Sequence, residues 1–338
     1  MTRVGQAVPM ATTQSTRVRR AVQRYAASID ELRGVTDAYV ALVTRLLDDA
    51  GINYLTVSGR TKTVESFAGK AARRLPGGRL AHPKPLTDIT DQIGVRVVTY
   101  VLADVDAVAQ LLSSQLAVLE DRDMGQETAA AGRFGYSSRH LLVGLGEDRE
   151  EPGIPRERPA SVQIRTVLQH AWAEFEHDVR YKGSVSAEHA PDFDRRFTLA
   201  AGLLELADQQ FSSIRDRHRD ELTSPTEDDD DPRIGATDLA AFLAGQFVDA
   251  GWSRTDHYAW ISGLLLELGI SSLSELREVL REVDVPAIDA HMGYRYPPGA
   301  VRRLDDALLS VYGERYIELH GNAHRLALLR ARLARLSD

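Results

Sequence analysis

Four runs in this chain combine residue types that can do phosphate chemistry. In the first, Arg60 and Lys62 stand just ahead of a helical stretch on which Ser66 and Lys70 lie four residues apart and so share a face. Cations and a hydroxyl at a helix start can cradle a polyphosphate, because free N–H groups and the helix dipole add to their field. Taken alone, the pattern also suits a solvated basic face. The second run is Asp91-Gln92-Ile93-Gly94-Val95-Arg96. An acid immediately before a Val-rich strand is placed to hold Mg²⁺, which takes few carboxylates and completes its shell with phosphate oxygens. Gly94 admits a close approach of backbone or ligand. Arg96 inside an apolar strand needs a partner: a nucleotide base or phosphate, or a structural ion pair with Asp91 acting as a cap. In the third run, Phe134-Gly135-Tyr136-Ser137-Ser138-Arg139-His140, Tyr136 offers a ring for stacking a base or for core packing. The fourth is Ser161-Val162-Gln163-Ile164-Arg165-Thr166, followed by a helix carrying Trp172, Glu176 and His177 and closed by Tyr181 and Lys182. Alternation puts Ser161, Gln163 and Arg165 on one strand face, and a polar face on a central strand points into a site.

The elements that must position these residues follow from periodicity. Val22, Tyr25, Ile29 and Leu32 recur at helical spacing. A second helix is expected from about Val35 to Ala50, stopped by Gly51. Strands are expected at Ile52 to Val57 (broken by Gly59), Ile93 to Val101, Tyr136 to Gly144 and Ser161 to Thr166. Helices are expected at Val105 to Leu116 and at about Arg196 to Arg215, the latter with Leu199, Leu203, Ala207, Phe211 and Ile214 on one face. Glu227 to Pro232 is an acidic run ending in proline and suits a solvated linker. Beyond it the pattern is helical only, with turns at Gly269, Gly293 and Pro297-Pro298-Gly299. The last helix, His324 to Leu336, places Leu326, Leu329, Leu333 and Leu336 on one face and is expected to dock with a solvated basic edge of Arg325, Arg330, Arg332 and Arg335. The expected organisation is a flexible tail over 1–19, a mixed α/β domain over 20–222, an acidic linker over 223–233 and a helical domain over 234–338.

The 338 residues carry a net charge of −8 and no cysteine. Disulfides and thiolate metal sites are therefore excluded, and a reducing cytoplasm is the expected home. The acidic balance opposes general nucleic-acid coating but not a local basic pocket. The N-terminus lacks the continuous apolar core of a secretory signal. The most apolar stretch, Trp260 to Ile270, is interrupted by Glu267 and too short to span a bilayer.

Together the four ordered runs resemble the synthetase domain of the RelA/SpoT family of alarmone enzymes, over roughly residues 20–220. The resemblance implies an α+β fold, a mixed β-sheet flanked by helices and related to nucleotidyltransferases, here followed by an all-α C-terminal domain. It implies transfer of pyrophosphate from ATP to the 3′-hydroxyl of GDP or GTP, with Mg²⁺ as cofactor. Carried over by motif position, Arg60 and Arg96 would sandwich adenine. Lys62, Ser66, Lys70 and Arg122 would hold the ATP phosphates, and Asp91 would bind Mg²⁺. Tyr136 would stack on guanine with His140 and Gln163 nearby, and Glu176 and Lys182 would complete the GDP/GTP side.

One position departs in chemistry. Where the family strand has a Glu two residues before the Gln, assigned as general base for the 3′-hydroxyl, this chain has Ser161. Losing a positioned base costs about 10²–10⁴ in rate. The expectation is a pyrophosphokinase scaffold with weak or lost activity. The alternatives are a degenerate nucleotide-binding regulator, or a toxin-like pyrophosphokinase acting on tRNA or an adenine nucleotide. A homo-oligomer and a nucleic-acid contact stay open; a membrane partner is not expected.

Overall fold

The computed structural model describes residues 10–124, 138–147, 149–182, 190–221 and 233–337. The N-terminal part begins with α1 (Met10–Ala27) and α2 (Ile29–Ala50). Helix α1 starts inside the segment expected as a tail, and Val18 packs on the core. In α2 the buried positions Leu32, Val35, Tyr39, Leu42, Val43, Leu46 and Leu47 recur every three or four residues. Asp30 and Glu31 sit in its first turn, where they favour the positive end of the dipole. Gly51, at φ 67°, ends it in the left-handed conformation that glycine adopts without strain.

Five strands follow: β1 (Thr56–Thr61), β2 (Ile93–Thr99), β3 (Ala117–Asp123), β4 (Arg139–Gly144) and β5 (Ala160–Thr166). They form one sheet in the order β1-β2-β5-β4-β3, with β2 and β5 parallel and the other pairs antiparallel. Helices α3 (Val64–Ala72), α4 (Pro85–Asp88) and α5 (Leu102–Gln115) lie between these strands, and α6 (Val167–Lys182) and α7 (Ala190–Glu221) follow them. One sheet face is apolar: Val95, Val97, Val162, Ile164, Leu141 and Val143 are buried in a core shared with α2 and α5.

Two strand expectations need correction. Gly59 does not break β1 but lies within it, because a β-carbon there would stand 2.7 Å from Thr36 Cγ2 and 2.8 Å from Val40 Cγ2. It is a point of close approach between β1 and α2, and the strand runs past it rather than ending at Val57. Strand β3 was not expected: its side chains are mostly exposed, and an edge strand of charged residues carries no apolar alternation.

The C-terminal part is helical: α8 (Ala236–Gln246), α9 (Thr255–Glu267), α10 (Leu273–Arg281), α11 (Val285–Met292), α12 (Ala300–Tyr312), α13 (Glu314–Ile317), a 3₁₀ turn (His320–Arg325) and α14 (Leu326–Ser337). It buries a separate core around Leu239, Leu264, Leu276, Leu304 and Leu308. The basic edge expected on the last helix is solvated only in part: Arg330 and Arg335 are exposed, whereas Arg325 and Arg332 turn inward. Arg332 is buried and Arg325 partly so; both pair with Asp305 at 2.6 Å, and Arg332 also pairs with Asp306. Two adjacent buried carboxylates on α12 demand cations, and the end of the chain supplies them. Arg302 carries the network across to the N-terminal part by bonding both Asp306 and Asp49 of α2.

Backbone contact closes the same junction. Gly299 N–H donates to the Asp49 carbonyl at 3.1 Å, and Ala300 N–H to the Gly251 carbonyl at 3.1 Å. A β-carbon on Gly299 would lie 2.5 Å from Gly51 Cα. The acidic linker falls almost wholly outside the described residues. Among the described residues no helix is long and apolar enough to cross a membrane.

Candidate active site

Cross-strand register assembles one polar sheet face from five separate stretches of sequence. Arg60, Gly94, Ser161, Leu142 and Glu120 occupy one row; Ser58, Arg96, Gln163, His140 and Arg122 occupy the next. The burial of β2 and β5 alternates residue by residue, with Gly94, Arg96, Ser161, Gln163 and Arg165 partly open between fully buried neighbours. The expected polar face of the fourth run is therefore present and flanked by Arg96. A cleft of about 220 Å³ opens on this face, lined by Arg60, Lys62, Asp91, Arg96, Ser161 and Gln163 among others.

The chain brings Lys62 and Asp91 together because β1 and β2 are antiparallel: Lys62 N–H donates to the Gln92 carbonyl at 2.9 Å. Asp91 then lies between two ammonium groups, Lys62 Nζ at 2.9 Å and Lys70 Nζ at 3.0 Å. Burial pushes the Asp91 carboxyl up, but hydrogen bonds from Lys62 and Lys70 outweigh it and hold the group below the usual carboxylate range. Asp91 is therefore ionised at neutral pH. Ser66 lies on the same helix as Lys70 but is engaged in the cap of α3. Its N–H donates to Thr63 Oγ1 at 3.2 Å, and its hydroxyl accepts from that of Thr63 at 2.8 Å.

Arg96 finds its partner in Glu174 of α6, at 3.0 Å. Glu174 escaped the sequence reasoning as a site residue; Arg165 was placed on the polar face but given no role. Glu174 precedes the recognisable Glu176 by two positions, and only the packing of α6 over β2 and β5 reveals its role. Arg165 is partly buried on the polar face; that burial, then the neighbouring Arg96, lowers its affinity for a proton from the ordinary guanidinium value. His170 is depressed in the same way, by burial first and Arg96 second. On the far side, Ser138 Oγ and His140 Nε2 are 2.6 Å apart. Arg122 sits on the exposed edge strand beside Glu120, at 3.9 Å. Glu176 is half-buried on α6. Tyr136 and the Lys182 side chain lie outside the described residues.

Among the described residues no three acidic or histidine side chains gather into a metal cage. A single ionised carboxylate beside cation-lined space nevertheless meets the minimum, since Mg²⁺ is bound through one or two carboxylates plus substrate phosphates. Asp91 is the residue that would hold it.

A mixed sheet with one polar face, a lysine pair bracketing an aspartate and arginines along the central strands defines an α+β domain with a cation-lined cleft. Residues 59–186 match the family described as the region found in RelA / SpoT proteins, and the chain carries such a region in its N-terminal part. It is similar to the GTP pyrophosphokinase YjbM of Bacillus subtilis (strain 168), 27% identical over 194 residues, which cover 56% of this chain and 85% of that protein. Among solved structures it resembles Bacillus subtilis small alarmone synthetase 1 bound to its product pppGpp, at 24% identity and TM-score 0.42, covering 60% of this chain and 97% of that one. It also resembles small alarmone synthetase 2 of the same organism, at 20% identity and TM-score 0.45, covering 56% and 97%.

Proposed function

We propose that the N-terminal domain, spanning about residues 20–222, binds ATP and a guanine nucleotide on its polar sheet face and transfers pyrophosphate between them slowly. The observation that carries this reading is the joining of Arg60, Lys62, Lys70, Asp91, Arg96 and Gln163 around one cleft. Lys62 and Lys70 are placed to exchange their contact with Asp91 for contacts with phosphate oxygens. Arg60 and Arg96 stand diagonally on neighbouring strands, one row apart, and can flank a planar base. In the reaction the 3′-oxygen of GDP or GTP bonds to the β-phosphorus of ATP, the bond from that phosphorus to the α-phosphate oxygen breaks, and AMP leaves. Mg²⁺ held by Asp91 would neutralise charge on the phosphates. The residue in register beside Gly94 and Leu142 is Ser161 and has no basic group, so the 3′-hydroxyl proton passes to water or to another carboxylate.

Ser161 also supports a second reading, in which the domain binds nucleotides as a regulator and turns none over. Incubating the purified protein with ATP, Mg²⁺ and GDP and separating the products decides between them. Measurable product supports the enzyme; ATP binding without product supports the regulator. An apolar stripe on α7, with Leu199, Leu203 and Ile214 each at least 60% exposed, supports a homo-oligomer. Sedimentation of the wild type as a monomer at tens of micromolar would remove that part of the proposal.

A further inference from the structure

A second cleft, of about 800 Å³, lies between α1 and residues 83–87, separate from the substrate cleft. Its lining holds Arg17, Arg20, Arg24 and Lys84 and no carboxylate. The three arginines are spaced three and four apart, so they form one stripe about 10 Å long. None of the four cations makes an ion pair among the described residues; Arg17 reaches only the Pro83 carbonyl, at 3.5 Å. The nearby Asp88 lies outside the lining and accepts from Lys84 N–H at 2.6 Å. Four uncompensated cations repel one another, and an anion of matching charge relieves that repulsion. The lining contains no aromatic ring, so it offers no platform for stacking successive bases, the feature that sequence-tolerant single-strand binders use.

Both walls of the cleft lead to the same pair of residues. On one wall, Tyr25 follows Arg24, stacks on Phe67 of α3 at 4.0 Å and donates its hydroxyl to the Lys62 carbonyl at 2.6 Å. On the other, the Leu86 carbonyl accepts from Gln92 Nε2 at 2.7 Å, and the Gln92 carbonyl accepts from Lys62 N–H at 2.9 Å. Lys62 is the residue paired with Asp91.

We propose that this cleft is a second anion site, for a small molecule carrying two or more phosphate groups, and that its occupancy is transmitted to Lys62 through Tyr25 and Gln92. An anion drawing the arginine stripe towards residues 83–87 closes two walls that are linked to the Lys62 backbone, one by the Tyr25 hydroxyl and the other through Gln92.

The test is a calorimetric titration of inorganic tripolyphosphate into the full chain carrying Lys62→Ala and Lys70→Ala, which removes the substrate-site cations. Binding is expected to persist in that background. Adding Arg20→Ala and Arg24→Ala is expected to weaken it at least tenfold, with the thermal melt retained. Lys84→Ala on the opposite wall, made separately, is expected to weaken it at least threefold. No binding in the Lys62→Ala, Lys70→Ala background, or binding indifferent to both further changes, overturns the site. A ten-nucleotide oligouridylate binding more tightly through the same arginines overturns the small-anion assignment. Amide exchange over residues 56–63 is expected to slow on adding tripolyphosphate and to be unaffected by it in Tyr25→Phe; unchanged exchange in the parent overturns the coupling. None of these readouts depends on pyrophosphate transfer, so they stand or fall apart from the proposed activity.

Discussion

Replacing Ser161 by Glu should raise the rate of pyrophosphate transfer by about 10²–10⁴, the usual contribution of a positioned general base. That factor corresponds to roughly 3–5.5 kcal/mol off the barrier. The structure makes room for the change. Residue 161 is partly open on β5, its β2 neighbour in register is Gly94, and it lies on the face that bears Arg60, Arg96 and Gln163. The electrostatics permit an ionised carboxylate there. Arg60, Lys62 and Arg96 line the cleft with Asp91 as the opposing charge. A cation ~6 Å away contributes roughly 3 kcal/mol at an effective dielectric of about 20, so three cations outweigh one like charge. The assay is single-turnover conversion of ATP and GDP with Mg²⁺, following AMP and the pyrophosphorylated product by ion-exchange chromatography, with ATP affinity measured in parallel. A variant that makes product no faster when saturated with ATP would refute the argument that the missing carboxylate limits this site. A wild type already as fast as the variant would refute it equally.

Three further outcomes are expected. Lys70→Ala removes one of the two ammonium groups on Asp91 and should weaken ATP binding about tenfold or more, as for loss of a charge-assisted contact; fluorescent-nucleotide titration reads it. Asp305→Asn leaves the buried Arg332 and the partly buried Arg325 poorly paired and should cost about 3–5 kcal/mol in urea unfolding at pH 7. The arginines depress the Asp305 carboxyl, so its stabilisation is complete above the unfolded value near pH 4 and is lost as pH falls below it; the variant should lack that part of the acid dependence. Gly299→Ala forces a β-carbon towards Gly51 Cα and should destabilise the junction by about 1–3 kcal/mol in thermal melts, while tripolyphosphate binding in the N-terminal cleft is retained.

What was legible in the sequence is what local pattern encodes. The β5 alternation of Ser161, Gln163 and Arg165 with Val162 and Ile164 names its own polar face, and the structure shows that face partly open. The Lys70 spacing from Ser66 placed both on one helix. The rest depended on partners that sequence distance hides. Gly59 read as a strand breaker because the local chain cannot show that Thr36 and Val40 approach it. Arg325 and Arg332 read as a solvated edge because Asp305 and Asp306 lie about twenty or more positions away. Glu174 carried no signal at all until α6 lay across β2 and brought it to Arg96.

The change at residue 161 alters the balance between holding substrates and transforming them. Arg60, Lys62, Lys70, Arg96 and Arg165 gather around the polar face, with Asp91 and Glu174 as the acids paired among them. A carboxylate at position 161 would offset part of that positive field and would act on the acceptor hydroxyl as it is attacked. Serine leaves the field undiminished, which favours polyphosphate in the ground state as much as in the transition state. Interactions of that uniform kind tighten binding without accelerating chemistry. The expected signature is therefore an ATP affinity that falls when Ser161 becomes Glu, in the same variant whose turnover rises. A slow enzyme and a nucleotide sensor are then two points on one axis, set by a single side chain on an otherwise assembled sheet face.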